Sequence, residues 1–104
     1  MKKNYKNRNY LEFVSRMRCI ILHKSCNGAT NAHHLLKPYD GARGMGMRAT
    51  DNNTIPLCYY HHSQLHNVHG NEDKFWKQYG LSEDFGRIQA KMFWDKSPYR
   101  KEEE

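Results

Sequence analysis

The sequence is short of the apolar residues from which a small domain builds its core. Hydrophobic residues make up 38% of its 104 residues, and the mean hydropathy is −1.04. A chain of this length fits one domain and buries a limited fraction of its surface. We therefore expect a single domain, residues 1–104, whose thin core is supported by something else, such as a bound metal ion.

The sequence also lacks a long apolar run and a disulfide framework. No stretch approaches the roughly 18 consecutive apolar residues of a transmembrane helix, and the first residues lack the apolar core of a secretory signal. The three cysteines are odd in number and lie among histidines. This pattern favours metal-binding thiolates in a reducing compartment over disulfides. We expect a soluble cytoplasmic protein with no membrane partner.

Acidic residues are too few to balance the basic ones. The chain has 17 Lys and Arg against 11 Asp and Glu, a formal net charge of +6. This excess favours a polyanionic partner, with nucleic acid as the first candidate. Charge runs that only solvate the surface are the alternative. The positive charge is concentrated in the first 18 residues, at Lys2, Lys3, Lys6, Arg8, Arg16 and Arg18.

Apolar spacing and turn residues predict an α+β fold. An amphipathic helix is expected over residues 7–18, and the Asn27-Gly28 turn predicts a hairpin between residues 19–22 and 30–36. The Gly-rich stretch 37–52 is expected to be an exposed loop. Further predicted elements are an extended piece at 55–57, a helix from about 58 to Gly70, and C-terminal helices within about 71–97, the first capped by Asn71 and the second opened by Ser82.

Four residues form a candidate structural zinc site. Its predicted ligands are Cys19, Cys26, Cys58 and His61. Cys and His are the usual ligands of tetrahedral structural zinc, and the short spacing of the last two lets a helix start supply both. His23 competes with Cys26 as the fourth ligand. The alternative is three unrelated buried thiols.

A second group of histidines suggests a catalytic metal. His62 and His66 are four residues apart, which places both rings on one face of a helix. If that helix packs across the strand bearing His33, the three imidazoles can bind one cation and leave positions open for water and phosphate. The neighbouring His34 would remain unligated, and imidazole is a group suited to general base catalysis.

These residues resemble the HNH, or ββα-metal, endonucleases. The resemblance covers residues 19–66 and rests on the His33-His34 pair, on Asn53 five residues before Cys58, and on His62-x-x-x-His66. The string from Ala32 through Gly44-Met45-Gly46-Met47-Arg48 to Cys58 is similar to small phage and prophage proteins of the Ref-like and YbcO-like groups.

The resemblance implies roles for these residues. His33, His62 and His66 would hold the catalytic divalent metal, His34 would be the general base, and Asn53 would orient His34. The implied fold is a ββα-metal core over about residues 19–70 with a structural zinc knuckle, flanked by a basic N-terminal arm and helix (1–18) and by helices over about 71–97. His33 stands where many members have an acidic residue, which favours Zn²⁺, Ni²⁺ or Mn²⁺ over Mg²⁺.

The expected function is metal-dependent hydrolysis of DNA, by nicking and with little sequence selectivity, in phage DNA processing or recombination within a bacterial host. Lys37, Arg43 and Arg48 are the expected phosphate contacts. Two alternatives remain: a noncatalytic, zinc-supported DNA-binding module, and a protein whose activity depends on a recombinase or another phage protein.

Overall fold

The computed structural model describes residues 6–39, 49–68 and 71–100, and it has two strands and four helices in this part of the chain. The elements are α1 (Arg8–Ser15), β1 (Thr30–His34), β2 (Thr54–Cys58), α2 (Tyr59–Asn67), α3 (Glu72–Gln78) and α4 (Phe85–Lys96). The predicted α+β class is confirmed. No helix within these ranges is both long and apolar enough to span a membrane.

The two strands form an antiparallel pair, but the predicted pairing was wrong. β1 pairs with β2, with Thr30 opposite Cys58 and His34 opposite Thr54. Residues 19–22 instead form a turn, in which Leu22 has a φ of 50°. A strand cannot pass through that left-handed conformation. This turn is anchored to the outer side of β2 because the Ile20 N–H donates to the carbonyl of Pro56 at 3.0 Å.

Capping residues begin the helices close to where the sequence predicts. Asn7 caps α1 by accepting from the Tyr10 N–H, and Asn71 caps α3 by accepting from the Lys74 N–H, both at 3.0 Å. These side chains satisfy backbone donors that a helix start leaves open. α1 is shorter than the predicted 7–18, whereas α4 ends at Lys96, before Ser97, as expected.

The core lies between β2 and the C-terminal helices. Phe75 and Trp76 of α3 are fully or almost fully buried beside Ile55 and Leu57 of β2. These aromatic residues belong to the core. Ile88 does not, because its side chain is 58% exposed. The buried face of α4 consists of Gly86, Ala90 and Trp94.

A smaller cluster holds α1 in place. Tyr10 and Val14 are buried against Trp94 of α4, and the Tyr10 and Trp94 rings meet edge to face with centroids 5.0 Å apart. Edge-to-face pairs of buried aromatic rings add to the stabilisation from burial. α1 is thereby fixed beside β1, the strand that ends in His33 and His34.

Candidate functional site

The predicted cysteine and histidine cluster is present. Cys19 follows α1, Cys26 lies in the loop before β1, Cys58 ends β2, and His61 is in the first turn of α2. One ligand atom from each of the four residues lies within 4.8 Å of all the others. The group contains Cys26 and not His23. The four residues are called the Cys3His cluster below.

The distances within the cluster fit a tetrahedral metal ion. His61 Nδ1 lies 3.5 Å from Cys19 Sγ, 3.5 Å from Cys26 Sγ and 3.2 Å from Cys58 Sγ. Zinc bound by sulfur and imidazole nitrogen at usual lengths places such atoms about 3.5 Å apart. A single Nδ1–H cannot donate to three sulfurs at once, whereas one cation can bind all four atoms. The cluster can therefore bind a metal such as zinc.

The protonation states of the cluster differ from residue to residue. Burial raises the pKa of the Cys19 thiol to about 11. Burial also acts to raise the pKa of Cys58, but hydrogen bonds lower it overall, first those from the backbone of His61 and Asn27 and then those from the other two thiols. The pKa of His61 is lowered by burial and by the nearby His23. Because zinc binds thiolates and neutral imidazole, its binding here must release thiol protons.

A short chain of hydrogen bonds orients His61. Its Nε2 lies 3.1 Å from Ser25 Oγ, which is in turn 2.7 Å from His23 Nδ1. Such contacts to the outer nitrogen fix the ring of a metal-binding histidine. His23 is thus linked to the Cys3His cluster through Ser25 and is not itself a member of the cluster.

The turn between Cys26 and β1 depends on Gly28. Its φ is +86°, and a Cβ built there would lie 2.6 Å from the Cβ of Tyr59. The Tyr59 and Tyr60 N–H groups donate to the carbonyls of Ala29 and Asn27, at 2.9 and 3.0 Å. These contacts tie the loop that carries Cys26 to the start of α2, which carries His61.

The other histidines lie side by side on β1 and α2. The ring centroids of His33 and His62 are 5.1 Å apart, and those of His62 and His66 are 4.9 Å apart. We call these three residues the histidine row. Burial, followed by the neighbouring His33 and His66, lowers the pKa of His62. A neutral imidazole is the form that binds a metal.

The histidine row does not form a closed ligand shell. In residues 6–39, 49–68 and 71–100, the Cys3His cluster is the only group of three or more His, Cys, Asp or Glu whose ligand atoms all lie within 4.8 Å of one another. The rings of the histidine row are adjacent, but their ligand atoms do not all lie within 4.8 Å of one another. The three side chains therefore do not enclose a metal position.

Two carboxylates that the sequence analysis did not assign contact the His33-His34 pair. His33 Nε2 lies 2.9 Å from Glu72 Oε2, and His34 Nε2 lies 2.8 Å from Asp51 Oδ1. Glu72 follows the Asn71 cap, where an acidic residue is explained by the helix dipole alone. Nothing in its spacing indicates a contact with His33. Residues 51–54, which begin with Asp51, are all polar and all buried. This polar run is the feature of the sequence that could have indicated a role for Asp51.

Asn53 supports the backbone around the site. Its buried side chain accepts from the Tyr39 N–H and donates to Thr50 Oγ1, both at 2.8 Å. Its carbonyl accepts from the Leu35 N–H at 2.9 Å. These bonds hold together the two chain segments that follow β1 and precede β2. The imidazole of His34 is bound by Asp51, the role that the resemblance gives to Asn53.

An open groove of about 670 Å³ runs between α1 and β1. Its lining includes His33, His34 and His62, with Arg8 and Glu12 of α1 on the opposite side. The histidine pair is therefore accessible to a molecule in the groove.

The expected phosphate contacts are only partly described. Lys37 is an exposed residue whose ammonium group forms an ion pair with Asp73 of α3. A partner would have to compete with that carboxylate. Arg43 and Arg48 lie outside the described residues, as do Lys2 and Lys3.

Comparison with known proteins gives one family. A family model described as "Protein of unknown function (DUF968)" matches residues 1–90. No curated protein and no solved structure matches the chain.

Proposed function

The chain belongs to the DUF968 family, and we propose that it is a metal-dependent endonuclease that hydrolyses DNA phosphodiester bonds, with His34 as general base. The observation that carries the proposal is that His33, His34 and His62 line the same open groove. A base and two metal-binding side chains beside one cleft are what hydrolysis of a phosphodiester requires.

The order of elements supports the same proposal. β1, β2 and α2 follow one another as strand, strand and helix, with His33 and His34 on the first strand and His62 and His66 on the helix. The HNH nucleases distribute these residues over a ββα-metal core in the same way. In this proposal the Cys3His cluster, which shares the first turn of the same short helix through His61, is the structural zinc site.

The histidine row would hold the catalytic cation. His33, His62 and His66 offer neutral nitrogen ligands, which suit Zn²⁺, Ni²⁺ and Mn²⁺ better than Mg²⁺. Such a cation, when bound, supplies Lewis acidity that neutralises charge developing on a phosphodiester. His33 and His62 line the open groove, from which water and substrate could reach the cation.

His34 has the position of a base. Its side chain is 14% exposed, and it reaches the groove while its Nε2 is held by Asp51. A neutral imidazole there can remove a proton from a water molecule that attacks the phosphorus in line. The proton would then reside on His34, next to a carboxylate that stabilises the resulting imidazolium.

The charge of the chain supports a nucleic acid as substrate. The net charge is +6, and Arg8 lies on the wall of the groove that faces the histidines. Contacts of this kind bind phosphates without reading sequence. We therefore propose nicking of DNA with little sequence selectivity, and a role in phage DNA processing or recombination within a bacterial cytoplasm.

The test is cleavage of supercoiled plasmid by zinc-loaded protein in Mg²⁺, Mn²⁺, Ni²⁺ or added Zn²⁺. We expect open circles to appear with at least one of these ions and to disappear with excess chelator. The released ends should carry a 3′ hydroxyl and a 5′ phosphate. No conversion with any ion, alone or with a recombinase filament, would overturn the proposal.

A partner-dependent or noncatalytic function is the second candidate. It is favoured by one observation: the ligand atoms of the histidine row do not converge within 4.8 Å, whereas those of the Cys3His cluster do. In that case the protein would bind DNA through a zinc-supported fold, or would cut only when a recombinase or another phage protein assembles the site. Cleavage that requires the added protein would indicate the partner-dependent form. Zinc and DNA binding without any cleavage would indicate the noncatalytic form.

A further inference from the structure

The His33-His34 pair is held by two carboxylates from different parts of the chain. Glu72 comes from the first turn of α3, and Asp51 comes from the segment before β2. Each approaches the Nε2 of its own histidine, Glu72 at 2.9 Å and Asp51 at 2.8 Å. In both rings, the nitrogen that contacts a carboxylate is Nε2.

Backbone donors fix both carboxylates. Glu72 accepts from the N–H groups of Leu36 at 2.8 Å and of Lys37 at 3.2 Å. Asp51 accepts from the Asn7 N–H, just before α1, at 2.7 Å. Hydrogen bonds from main-chain N–H groups fix the orientation of a carboxylate. Both carboxylates are therefore held in place as acceptors for the two rings.

An ionised carboxylate can only accept a hydrogen bond. The Nε2 atoms of His33 and His34 must therefore carry hydrogen, and in a neutral ring the lone pair then lies on Nδ1. No hydrogen bond to either Nδ1 is formed among residues 6–39, 49–68 and 71–100. Both rings also line the groove.

We propose that Asp51 and Glu72 are positioning residues that hold His34 and His33 as Nε2–H tautomers, so that Nδ1 is the basic nitrogen of His34 and the ligating nitrogen of His33. The assignment of these two tasks rests on the proposed nuclease function. The tautomers themselves do not. Asp51 also couples the base to α1, because its second oxygen is bound by the Asn7 backbone.

Tautomers can be measured directly by long-range ¹H–¹⁵N correlation spectra of the imidazoles. The sample is the zinc-loaded full chain without a second metal, at a pH where the rings are neutral. The expected result is the Nε2–H pattern for both His33 and His34.

In Asp51→Asn only His34 should become a mixture of the two tautomers, because an amide can also donate to the ring. In Glu72→Gln only His33 should do so. Asp84→Asn, an exposed carboxylate paired with Arg87, is the control and should change neither. A dominant Nδ1–H form of either ring in the unmodified protein would overturn the proposal.

Metal binding and cleavage separate the two roles. Glu72→Gln should weaken binding of Mn²⁺ to the zinc-loaded protein by about 10–100-fold, the usual effect of losing the group that orients a ligating histidine. Asp51→Asn should leave that affinity unchanged and slow cleavage, by up to about 10⁴-fold if the opposite tautomer becomes dominant. Equal loss of Mn²⁺ affinity in both variants would overturn the division of roles. The expected tautomers together with no cleavage by any form would overturn the nuclease but uphold the tautomer assignment.

Discussion

At the scale of single residues, His61 shows how one ring can complete a metal site. Its Nδ1 faces three sulfur atoms, while its Nε2 meets the Ser25 hydroxyl. Burial lowers the pKa of this imidazole, so that it is neutral and available as a ligand at neutral pH. His61 therefore offers a fourth ligand atom beside the three sulfurs.

Asp51 makes the stability of the fold depend on pH. Burial acts to raise its pKa, but hydrogen bonds from His34 and from the Asn7 N–H outweigh burial and lower it. A carboxyl with a lowered folded pKa contributes stability above its unfolded pKa of about 3.9, and this contribution is lost as pH falls through the folded pKa. We therefore expect Asp51→Asn to lower the free energy of unfolding at pH 7 and to lower it progressively less below about pH 4.

Denaturant unfolding of both proteins between pH 7 and pH 3 checks this prediction. The difference between the two curves is the relevant quantity, since loss of zinc in acid affects both proteins alike. A difference that stays constant over the whole range would show that the ionised carboxylate of Asp51 contributes nothing.

At the scale of elements, the turn before β1 decides whether the metal ligands meet. Gly28 and Gly80 both have positive φ, but only Gly28 faces another residue where a Cβ would be, with Tyr59 at 2.6 Å. Gly80 has open space around that position. Comparing alanine variants at the two positions therefore separates the free-energy cost of the left-handed backbone from that of a steric clash.

We expect Gly80→Ala to destabilise the protein by about 1–2 kcal/mol, the penalty of a left-handed residue with a side chain. Gly28→Ala should cost more, by about 1–3 kcal/mol, because the start of α2 must move. It should also weaken zinc binding, whereas Gly80→Ala should not. Thermal unfolding and zinc titration of the two variants measure both effects. Equal destabilisation and unchanged zinc affinity would contradict the importance of the Tyr59 contact.

Local sequence signals predicted the helices better than the strand pairing. Asn7 and Asn71 mark helix starts because a capping side chain acts within three residues. The residues of β2 that pair with β1 lie 20–28 positions further along the chain, and no local signal specifies that pairing. Cys19, Ile20 and Ile21 pack in the cluster that contains Ile55 and Leu57 of β2, and their composition alone does not distinguish a packed turn from a strand.

At the scale of the whole molecule, the Cys3His cluster brings together parts of the chain that are far apart in sequence. It joins the turn after α1, the loop before β1 and the β2–α2 junction. Metal binding of this type contributes directly to folding free energy. For a chain with 38% hydrophobic residues, we therefore expect a metal ion bound at the cluster to contribute a large share of the stability.

Removal of zinc should therefore lower the melting temperature by more than about 10 °C, since about 1 kcal/mol corresponds to 4–8 °C in a domain of this size. Cys26→Ser should reduce zinc affinity strongly, whereas His23→Ala, which changes the rejected ligand, should retain one zinc per chain. Calorimetry with and without chelator, together with zinc quantification, gives both results. An unchanged melting temperature after zinc removal would contradict a structural role for the cluster.

The candidate sites were predictable to different degrees. Cys58 and His61 are close in sequence, and the chemistry of Cys and His limits their roles, so the Cys3His cluster could be predicted in advance. The contacts of Glu72 and Asp51 with the histidine pair could not, because they depend on how α3 and the segment before β2 pack against β1. The catalytic metal and the identity of the substrate remain predictions.

The most direct test of the account is the single-turnover rate of plasmid nicking by the unmodified protein and by His34→Ala, each zinc-loaded and saturated with the ion that supports cleavage. General base catalysis contributes about 10²–10⁴-fold, and the rate should fall by at least that range while the affinities for DNA and metal stay the same. Equal rates for the two proteins would contradict His34 as the base and, with it, the proposed mechanism.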